Sequence, residues 1–171
     1  MGRWRPPSRP ASKYITPEGY RKLNEELQYL WKEKRPTVTR AVQEAAAQGD
    51  RSENAEYIYG KKMLREIDAR VRFLSRRLDD MVVVERPPED TSRVFFGAQV
   101  TLEDLDAEKR YEYRIVGPDE IEPGTGNISV DSPLARALLK KQVDDEVSVD
   151  VPSGTRHYLV ISIDYPTRGN G

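Results

Sequence analysis

The first half of the chain spaces its apolar residues with the period of a helix. They recur in steps of three and four, in two runs separated by a short polar stretch. The first run is Tyr20, Leu23, Leu27, Leu30, Val38, Ala41 and Ala45, and the second is Leu64, Ile67, Val71, Leu74, Leu78 and Met81. This spacing gives each helix one narrow apolar seam, which is typical of a coiled coil. Two such runs with a short connection predict an antiparallel helical hairpin of roughly 45 Å.

Local signals indicate where these helices begin and where the first is disturbed. Thr16 is a good N-cap and Pro17 suits the first helical position. Pro36 removes one helical hydrogen bond, at a cost of about 3 kcal/mol. We expect a bend there, with the helix resuming because the apolar period continues. The second helix should run from about Glu53 to Asp80.

The seam changes from large to small residues towards the connection between the helices. Ala41, Ala45 and Ala46 stand on the first helix and Gly60 on the second. If the helices pair in register, Gly60 lies opposite Ala41. Small residues facing each other allow close approach, so we expect a narrow end to the hairpin.

The second half of the chain changes to a period of two. Five segments have the alternating or β-branched character of strands, namely residues 93–103, 110–117, 127–130, 146–151 and 157–165. Ser132 and Pro133 open a short helix, as N-cap and first residue, that should reach about Lys141. Five short strands and one helix predict a small antiparallel sheet domain, so the fold class is α+β.

These signals divide the chain into five parts. They are a disordered basic arm at 1–13, a coiled coil at 14–81 with its tip at 49–54, a linker at 82–91, a globular domain at 92–165 and a tail at 166–171. Val82, Val83 and Val84 favour strand, and two prolines end the helical pattern before the domain.

Composition excludes several classes of function. The 171 residues include no cysteine and a single histidine, which excludes disulfides, cysteine nucleophiles and thiolate metal sites. No apolar run is long enough to span a membrane, and no signal peptide follows the basic amino terminus, so we expect a cytoplasmic protein with no membrane contact. The first 80 residues carry six excess positive charges and the rest seven excess negative ones. That asymmetry suggests a polyanion near the first half, although ordinary surface charge explains it equally well.

The connection between the helices carries the candidate chemistry. Asp50 and Glu53 stand three residues apart, as in a capping box with Asp at the N-cap. From this pattern alone, capping is the better interpretation. The alternative is that both carboxylates bind a hard divalent cation such as Mg²⁺. Because Mg²⁺ prefers six oxygen ligands, two carboxylates on a tip would need a partner to complete the site.

Basic and aromatic residues surround these acids. The basic residues could steer a nucleic-acid phosphate and the aromatic ones could stack on a base. They are Arg51, Lys61, Lys62 and Arg65, with Tyr57 and Tyr59. Solvated helix faces and contacts in the seam are the alternative explanations.

Several segments together resemble one known family. The segments are residues 29–36, 49–57, 64–68, 94–98, 114–117 and 128–139. They are similar to the Gre transcript-cleavage factors of bacteria, most closely to the GreB branch. The likeness extends over about residues 14–165, and the tip and the Ser-Pro segment are its most specific parts.

The resemblance implies a fold and a partner. The fold is an amino-terminal antiparallel coiled coil followed by a domain like the FK506-binding protein. The partner is RNA polymerase, whose secondary channel receives the coiled coil while the globular domain docks at the rim. The residues matching the docking segment are Asp131, Ser132, Pro133 and Leu134.

The resemblance also implies an activity. Asp50 and Glu53 would share a Mg²⁺ with the polymerase and stimulate the polymerase's own cleavage of backtracked RNA, so this chain would be a cofactor rather than an enzyme. The supporting tip residues would be Ser52, Asn54, Glu56 and Tyr57. We expect a monomer that contacts the nascent RNA 3′ end, with a contact to DNA as a further expectation.

Two alternatives stay open. One is a Gre-like channel binder that regulates or inhibits polymerase without stimulating cleavage; such proteins alter the tip acids, which this chain retains. The other is a prolyl isomerase or chaperone, suggested only by the fold of the second domain.

Overall fold

The structure is a computed structural model that describes residues 10–49 and 54–166. These residues form two units. Residues 20–81 form the helical unit, and residues 10–19 together with 82–166 form the sheet unit. Together they give the predicted α+β class, with a helical hairpin followed by a sheet domain.

The helical unit contains three α-helices and one wider turn. They are α1 at Pro17–Tyr29, which starts in the sheet unit, a π-helical turn at Leu30–Lys34, α2 at Arg35–Ala46 and α3 at Ala55–Asp80. The seam predicted from the periodicity is confirmed. Leu30, Ile67 and Leu74 are buried in it, and Leu23, Leu27, Val38 and Val71 pack around them.

The π-helical turn is how the chain accommodates Pro36. The Arg35 amide donates to the Leu30 carbonyl, five residues back, which closes one wide turn. Pro36 then falls in the first turn of α2, where a missing N–H costs little. The helical path therefore continues across the proline, as predicted.

One predicted contact between α2 and α3 differs in the structure, although Val38 and Ala45 keep their predicted places in the seam. Ala41 is exposed, and Val42 is the residue that contacts Gly60. The predicted pairing of Gly60 with Ala41 was therefore wrong. A Cβ on Gly60 would overlap Val42 Cγ2, so the glycine accommodates a branched side chain rather than another small residue.

The sheet unit contains two sheets. In the smaller one, β1 at Tyr14–Ile15 pairs in parallel with β2 at Val82–Val83. The larger one contains β3 at Gln99–Asp104, β4 at Lys109–Val116, β5 at Asn127–Ser129, β6 at Glu146–Val151 and β7 at Gly154–Asp164. Its order is β5-β4-β3-β7-β6, and all neighbours are antiparallel except β4 and β5. All five predicted strands are present, although the first begins at Gln99 rather than at Arg93.

One short helix, α4 at Pro133–Leu138, packs against the larger sheet. Ala135 and Leu138 on this helix are fully buried, together with Val100, Leu102, Ile115 and Val160 of the strands. The helix ends three residues before the predicted Lys141. Lys140 has a positive φ of 68°, which an α-helix does not allow.

The start of α1 is fixed by a buried cap. Thr16 is 3% exposed and its hydroxyl accepts the Gly19 amide at 3.1 Å, so the predicted N-cap is confirmed. The Glu120 carboxylate accepts from the Thr16 amide at 3.0 Å, from the Thr16 hydroxyl and from the Gly117 amide at 2.7 Å. Glu120 thereby joins the start of α1 to the end of β4.

Among the helices in residues 10–49 and 54–166, none combines the length and the apolar content needed to cross a membrane.

Candidate functional site at the end of the helical hairpin

Asn54 holds the two ends of the connection between α2 and α3. It has an extended conformation, at φ −87° and ψ 101°, directly before the first residue of α3. Its Oδ1 accepts the Tyr57 amide at 3.1 Å, and its Nδ2 donates to the Ala45 carbonyl at 2.8 Å. Ala45 belongs to α2 and is 2% exposed. One side chain therefore caps one helix and joins it to the end of the other.

This cap bears on the capping interpretation of the acidic connection. The N-cap of α3 is Asn54, so a capping box built on Asp50 and Glu53 is not what begins this helix. Asp50, Arg51, Ser52 and Glu53 themselves lie outside the residues that the structure describes. Their assignment as metal ligands, supporting residue and RNA contact stays a prediction.

The other predicted tip residues lie on the first three turns of α3. Glu56 is exposed in the first turn, and Tyr57 is half-buried. Lys61, Lys62 and Arg65 are exposed one to two turns further on. Positions three and four apart are neighbours on a helix surface, so these cations form one basic face next to the connection.

The described part of the chain contains no cluster of three or more histidine, aspartate or glutamate side chains that could hold a metal ion. Glu56 is the predicted acid that the structure does describe, and it stands at the start of α3. The predicted Mg²⁺ ligands, Asp50 and Glu53, lie outside the described residues, so the Mg²⁺ assignment stays a prediction.

An ion pair joins the two helices farther from the connection. Arg35 Nε lies 2.7 Å from Asp68 Oδ1, and Arg35 Nη2 donates to Asp68 Oδ2 at 3.5 Å. The hydrogen bond from Arg35 lowers the pKa of Asp68, although partial burial opposes that change. The Arg35 guanidinium also lies 5.4 Å from the ring centre of Trp31, within the range of a cation–π contact.

The predicted docking segment begins with two hydrogen-bonded residues. Ser132 Oγ accepts the Ala135 amide at 3.2 Å, which confirms Ser132 as the N-cap of α4. Asp131 Oδ2 accepts the Ser12 amide at 2.8 Å. Pro133 is exposed, and Leu134 packs against the core of the sheet. The structure therefore brings all four residues together, with Pro133 the most accessible.

Sequence reasoning missed two of these contacts. The pairing of Asn54 with Ala45 crosses the connection, and an Asn before a helical run was the only local signal for it. The contact of Ser12 with Asp131 spans 119 residues, and no local pattern could have indicated it. The sequence analysis had placed Ser12 in an unstructured arm.

Comparison with known proteins gives the class to which this architecture belongs. A model described as "Transcription elongation factor, N-terminal" matches residues 13–83, and one described as "Transcription elongation factor, GreA/GreB, C-term" matches residues 87–165. The helical hairpin and the sheet domain are those of a transcription elongation factor. The chain belongs to the GreA/GreB family.

Two relatives of similar length, both GreB proteins, agree with that assignment. "Transcription elongation factor GreB" of Xanthomonas axonopodis pv. citri (strain 306) is 57% identical over 165 residues, covering 96% of this chain and 98% of the relative. The protein of the same name from Pseudomonas aeruginosa is 58% identical over 166 residues, covering 97% and 98%. The crystal structure of GreA factor homolog 1 (Gfh1) of Thermus thermophilus is 28% identical, covers 88% of this chain and 97% of its own, and has a TM-score of 0.40.

Proposed function

We propose that this chain binds RNA polymerase, inserts its helical hairpin into the secondary channel and stimulates the polymerase's own cleavage of backtracked nascent RNA. It acts as a cofactor of that reaction and not as an enzyme itself. The observation that carries the proposal is the cap of α3. Because Asn54 satisfies the first turn of this helix, α3 does not need Asp50 or Glu53 for its start.

The hairpin presents its acids on a short connection with fixed ends. Asn54 donates to Ala45, so the chain leaves α2 and enters α3 at a constrained separation. Asp50 and Glu53 lie in sequence between these ends. A catalytic group must be held in place, and Asn54 and Ala45, which flank this segment in sequence, are held by their mutual hydrogen bond.

Two carboxylates suit a shared magnesium site. Hard divalent cations prefer carboxylate oxygens, and Mg²⁺ takes six ligands in a near-octahedral arrangement. Asp50 and Glu53 would supply a minority of them, and the polymerase and water would supply the rest. Bound there, the ion would stabilise charge and supply a nucleophilic water for phosphodiester hydrolysis.

The basic face on α3 suits the nascent RNA. Lys61, Lys62 and Arg65 are exposed and lie within three turns of the connection. Cations in this position attract the phosphates of an extruded RNA 3′ end, and a contact with DNA would use the same face. The docking segment at Asp131–Leu134 would hold the sheet domain on the polymerase, and one copy of the chain would suffice.

The test is a cleavage assay on backtracked RNA polymerase complexes with labelled RNA and Mg²⁺. Wild type should shorten the RNA from its 3′ end, and the Asp50→Asn, Glu53→Gln double variant should lose about 100-fold or more of the stimulated rate. Glu66→Gln, which neutralises an exposed acid in the middle of α3, is the matched control and should cleave normally.

Affinity for polymerase and the free energy of unfolding distinguish a chemical role of Asp50 and Glu53 from a structural one. The double variant should bind polymerase with unchanged affinity and unfold within about 0.5 kcal/mol of wild type, since neither residue is the N-cap of α3. If neither wild type nor variant shortens the RNA while both slow elongation, the chain is a channel-binding regulator and the proposal fails.

A further inference from the structure

A groove runs along one flank of the helical hairpin, beside Trp31. It has a volume of about 350 Å³ and is lined by Leu27, Gln28, Trp31, Val71 and Ser75. Three of these side chains are apolar, and the two polar ones carry no charge. We call this surface the Trp31 groove.

The exposure of Trp31 is unusual for the largest apolar side chain. Trp31 is 55% exposed, although tryptophan is among the more buried residue types on average. It lies in the π-helical turn, four residues before Arg35, whose guanidinium is 5.4 Å from the ring centre. Arg35 is in turn held by Asp68 at 2.7 Å. The ring is therefore held in place on the surface by contacts within the hairpin.

Two arginines act on one carboxylate on this side of the hairpin. Arg35 and Arg72 both act electrostatically on Asp68, which is the acid at this side of the hairpin. Two guanidinium groups beside one carboxylate leave a positive excess. A partner side chain next to the groove would therefore be favoured if it were acidic.

We propose that the Trp31 groove is a docking surface for a protein segment of RNA polymerase. This segment places an apolar side chain between Leu27, Trp31 and Val71. It places a carboxylate beside Arg35 and Arg72. That RNA polymerase is the partner rests on the proposed function. Tryptophan and arginine are the residues most enriched at the energetic centres of protein interfaces. A fixed, exposed tryptophan beside a groove binds without the entropy cost of ordering a mobile side chain.

The groove favours a protein segment over nucleic acid. A base would need an open ring face, and the Arg35 guanidinium already covers one face of Trp31. A phosphate backbone would need cations along the groove itself, and none of the five lining residues carries a charge. Leu27 and Val71, which line the groove with Trp31, are aliphatic and match an apolar side chain.

The hairpin provides a matched control for the tryptophan. Phe73 is 47% exposed, and the Arg70 guanidinium lies 5.4 Å from its ring centre. Arg70 is held by Glu26 at 2.8 Å, as Arg35 is held by Asp68. Phe73 does not line the Trp31 groove. The two aromatic residues thus share their surroundings and differ in the feature under test.

The experiment measures the affinity of the full chain for purified RNA polymerase. Trp31→Ala should weaken binding about 30-fold, as expected for a residue at an interface centre, and Phe73→Ala should change it less than about threefold. Equal effects of the two substitutions would overturn the proposal. Because Trp31→Ala could also disturb the seam, a second pair of variants leaves Trp31 in place.

Ser75→Gln and Ser75→Glu fill the same end of the groove with side chains of nearly equal size. Both should weaken binding, and Glu should weaken it at least threefold more than Gln because it repels the proposed carboxylate. Equal affinity of these two variants, or tighter binding by the Glu variant, would contradict the acidic partner.

A fluorescent label at Trp31 reports directly whether its ring becomes buried when the polymerase binds. The chain has two tryptophans, so a Trp4→Phe variant grown with 5-hydroxytryptophan carries one label, at Trp31, that can be excited apart from the tryptophans of the polymerase. Polymerase should shift its emission to the blue and protect it from quenching. A response to single-stranded RNA alone, or to rising concentration of this chain alone, would instead assign the groove to nucleic acid or to a second copy.

Cleavage at saturating protein separates this inference from the proposed function. Trp31→Ala should recover wild-type cleavage once its concentration compensates for weaker binding, whereas the Asp50→Asn, Glu53→Gln variant should bind normally and fail to cleave. If wild type cleaves and Trp31→Ala binds like wild type, the groove assignment fails and the proposed function stands.

Discussion

At the residue scale, Asn54 combines two tasks that usually require two side chains. Its carbonyl oxygen caps α3 and its amide nitrogen binds the last buried residue of α2. The residue therefore stabilises the hairpin at the point where α2 gives way to α3.

Replacement of Asn54 should separate the two tasks. Asn54→Ala should lower the free energy of unfolding by about 1 to 2 kcal/mol, since it removes a cap and leaves the Ala45 carbonyl without this donor. Asn54→Asp keeps the acceptor for Tyr57 but turns a second acceptor towards the Ala45 carbonyl, so it should also be less stable than wild type. Urea unfolding followed by circular dichroism measures both. An Asp variant as stable as wild type would show that the bond to Ala45 contributes nothing.

The ion pair between Arg35 and Asp68 makes a pH-dependent contribution to stability. The hydrogen bond from Arg35 lowers the pKa of Asp68 in the folded chain below the unfolded value of about 3.9. A depressed carboxyl pKa stabilises the fold above the unfolded pKa, and that contribution is lost as pH falls through the folded pKa.

We therefore expect wild type to be more stable than Asp68→Asn at neutral pH and to lose this advantage below about pH 4. Thermal unfolding of both proteins from pH 7 to pH 2 tests the expectation, with Asp79→Asn as a control whose difference from wild type should not follow this course. A wild-type advantage that is constant across the range would contradict the shift.

Capping residues show how far a local pattern can predict this fold. Thr16 and Ser132 were identified as caps because each precedes a proline at the first helical position, and the structure confirms both. The start of α3 was misplaced by two residues because Asp50 and Glu53 also match a capping pattern. Local propensity ranks Asp and Asn almost equally as caps, so the contact with Ala45 decided the position.

At the element scale, the helical path continues through Pro36 by way of one π-helical turn. Val38 and Ala45 keep their predicted places in the seam, whereas Val42 and not Ala41 packs on Gly60. Steps of three and four residues from Val38 reach both Ala41 and Val42, so the periodicity alone could not choose between them.

Gly60 and Val42 should be energetically coupled. Gly60→Ala should destabilise wild type, because the overlap with the stiff branched side chain of Val42 outweighs the gain in helix propensity. In a Val42→Ala background the same change should stabilise the chain by roughly 1 kcal/mol, which is the propensity gain alone. Chemical unfolding of the four proteins in this double-mutant cycle measures the coupling. Additive effects would show that the two residues do not compete for space.

At the scale of the whole molecule, the segment before α1 belongs with the sheet unit. Ile15 is fully buried, β1 pairs with β2, and Thr16 donates twice to Glu120. The chain thus leaves this unit at α1 and returns to it at β2, with the helical unit inserted between.

A fragment of residues 88–165 should bind RNA polymerase and fail to stimulate cleavage, because it keeps the docking segment and lacks the hairpin. A longer form, in which a Gly-Ser linker replaces residues 20–81, should also bind RNA polymerase without stimulating cleavage. Its melting temperature should be higher than that of the 88–165 fragment. It retains the burial of Ile15, which contributes about 1.5 to 3 kcal/mol, and the partners of Glu120. Thermal melting and polymerase binding test both forms. Cleavage by either form would remove the hairpin from the mechanism.

The sequence by itself determined the parts of this protein that depend on neighbouring residues. Helical and strand periods, the caps at Thr16 and Ser132, and the acidic pair at 50 and 53 all follow from residues a few positions apart. Only the tertiary structure decided which residue of α2 packs on Gly60, the bond from Asn54 to Ala45, and the contacts of residues 12–16 with Asp131 and Glu120. These features depend on residues brought together from distant positions, where one contact selects among packings that the local pattern allows equally.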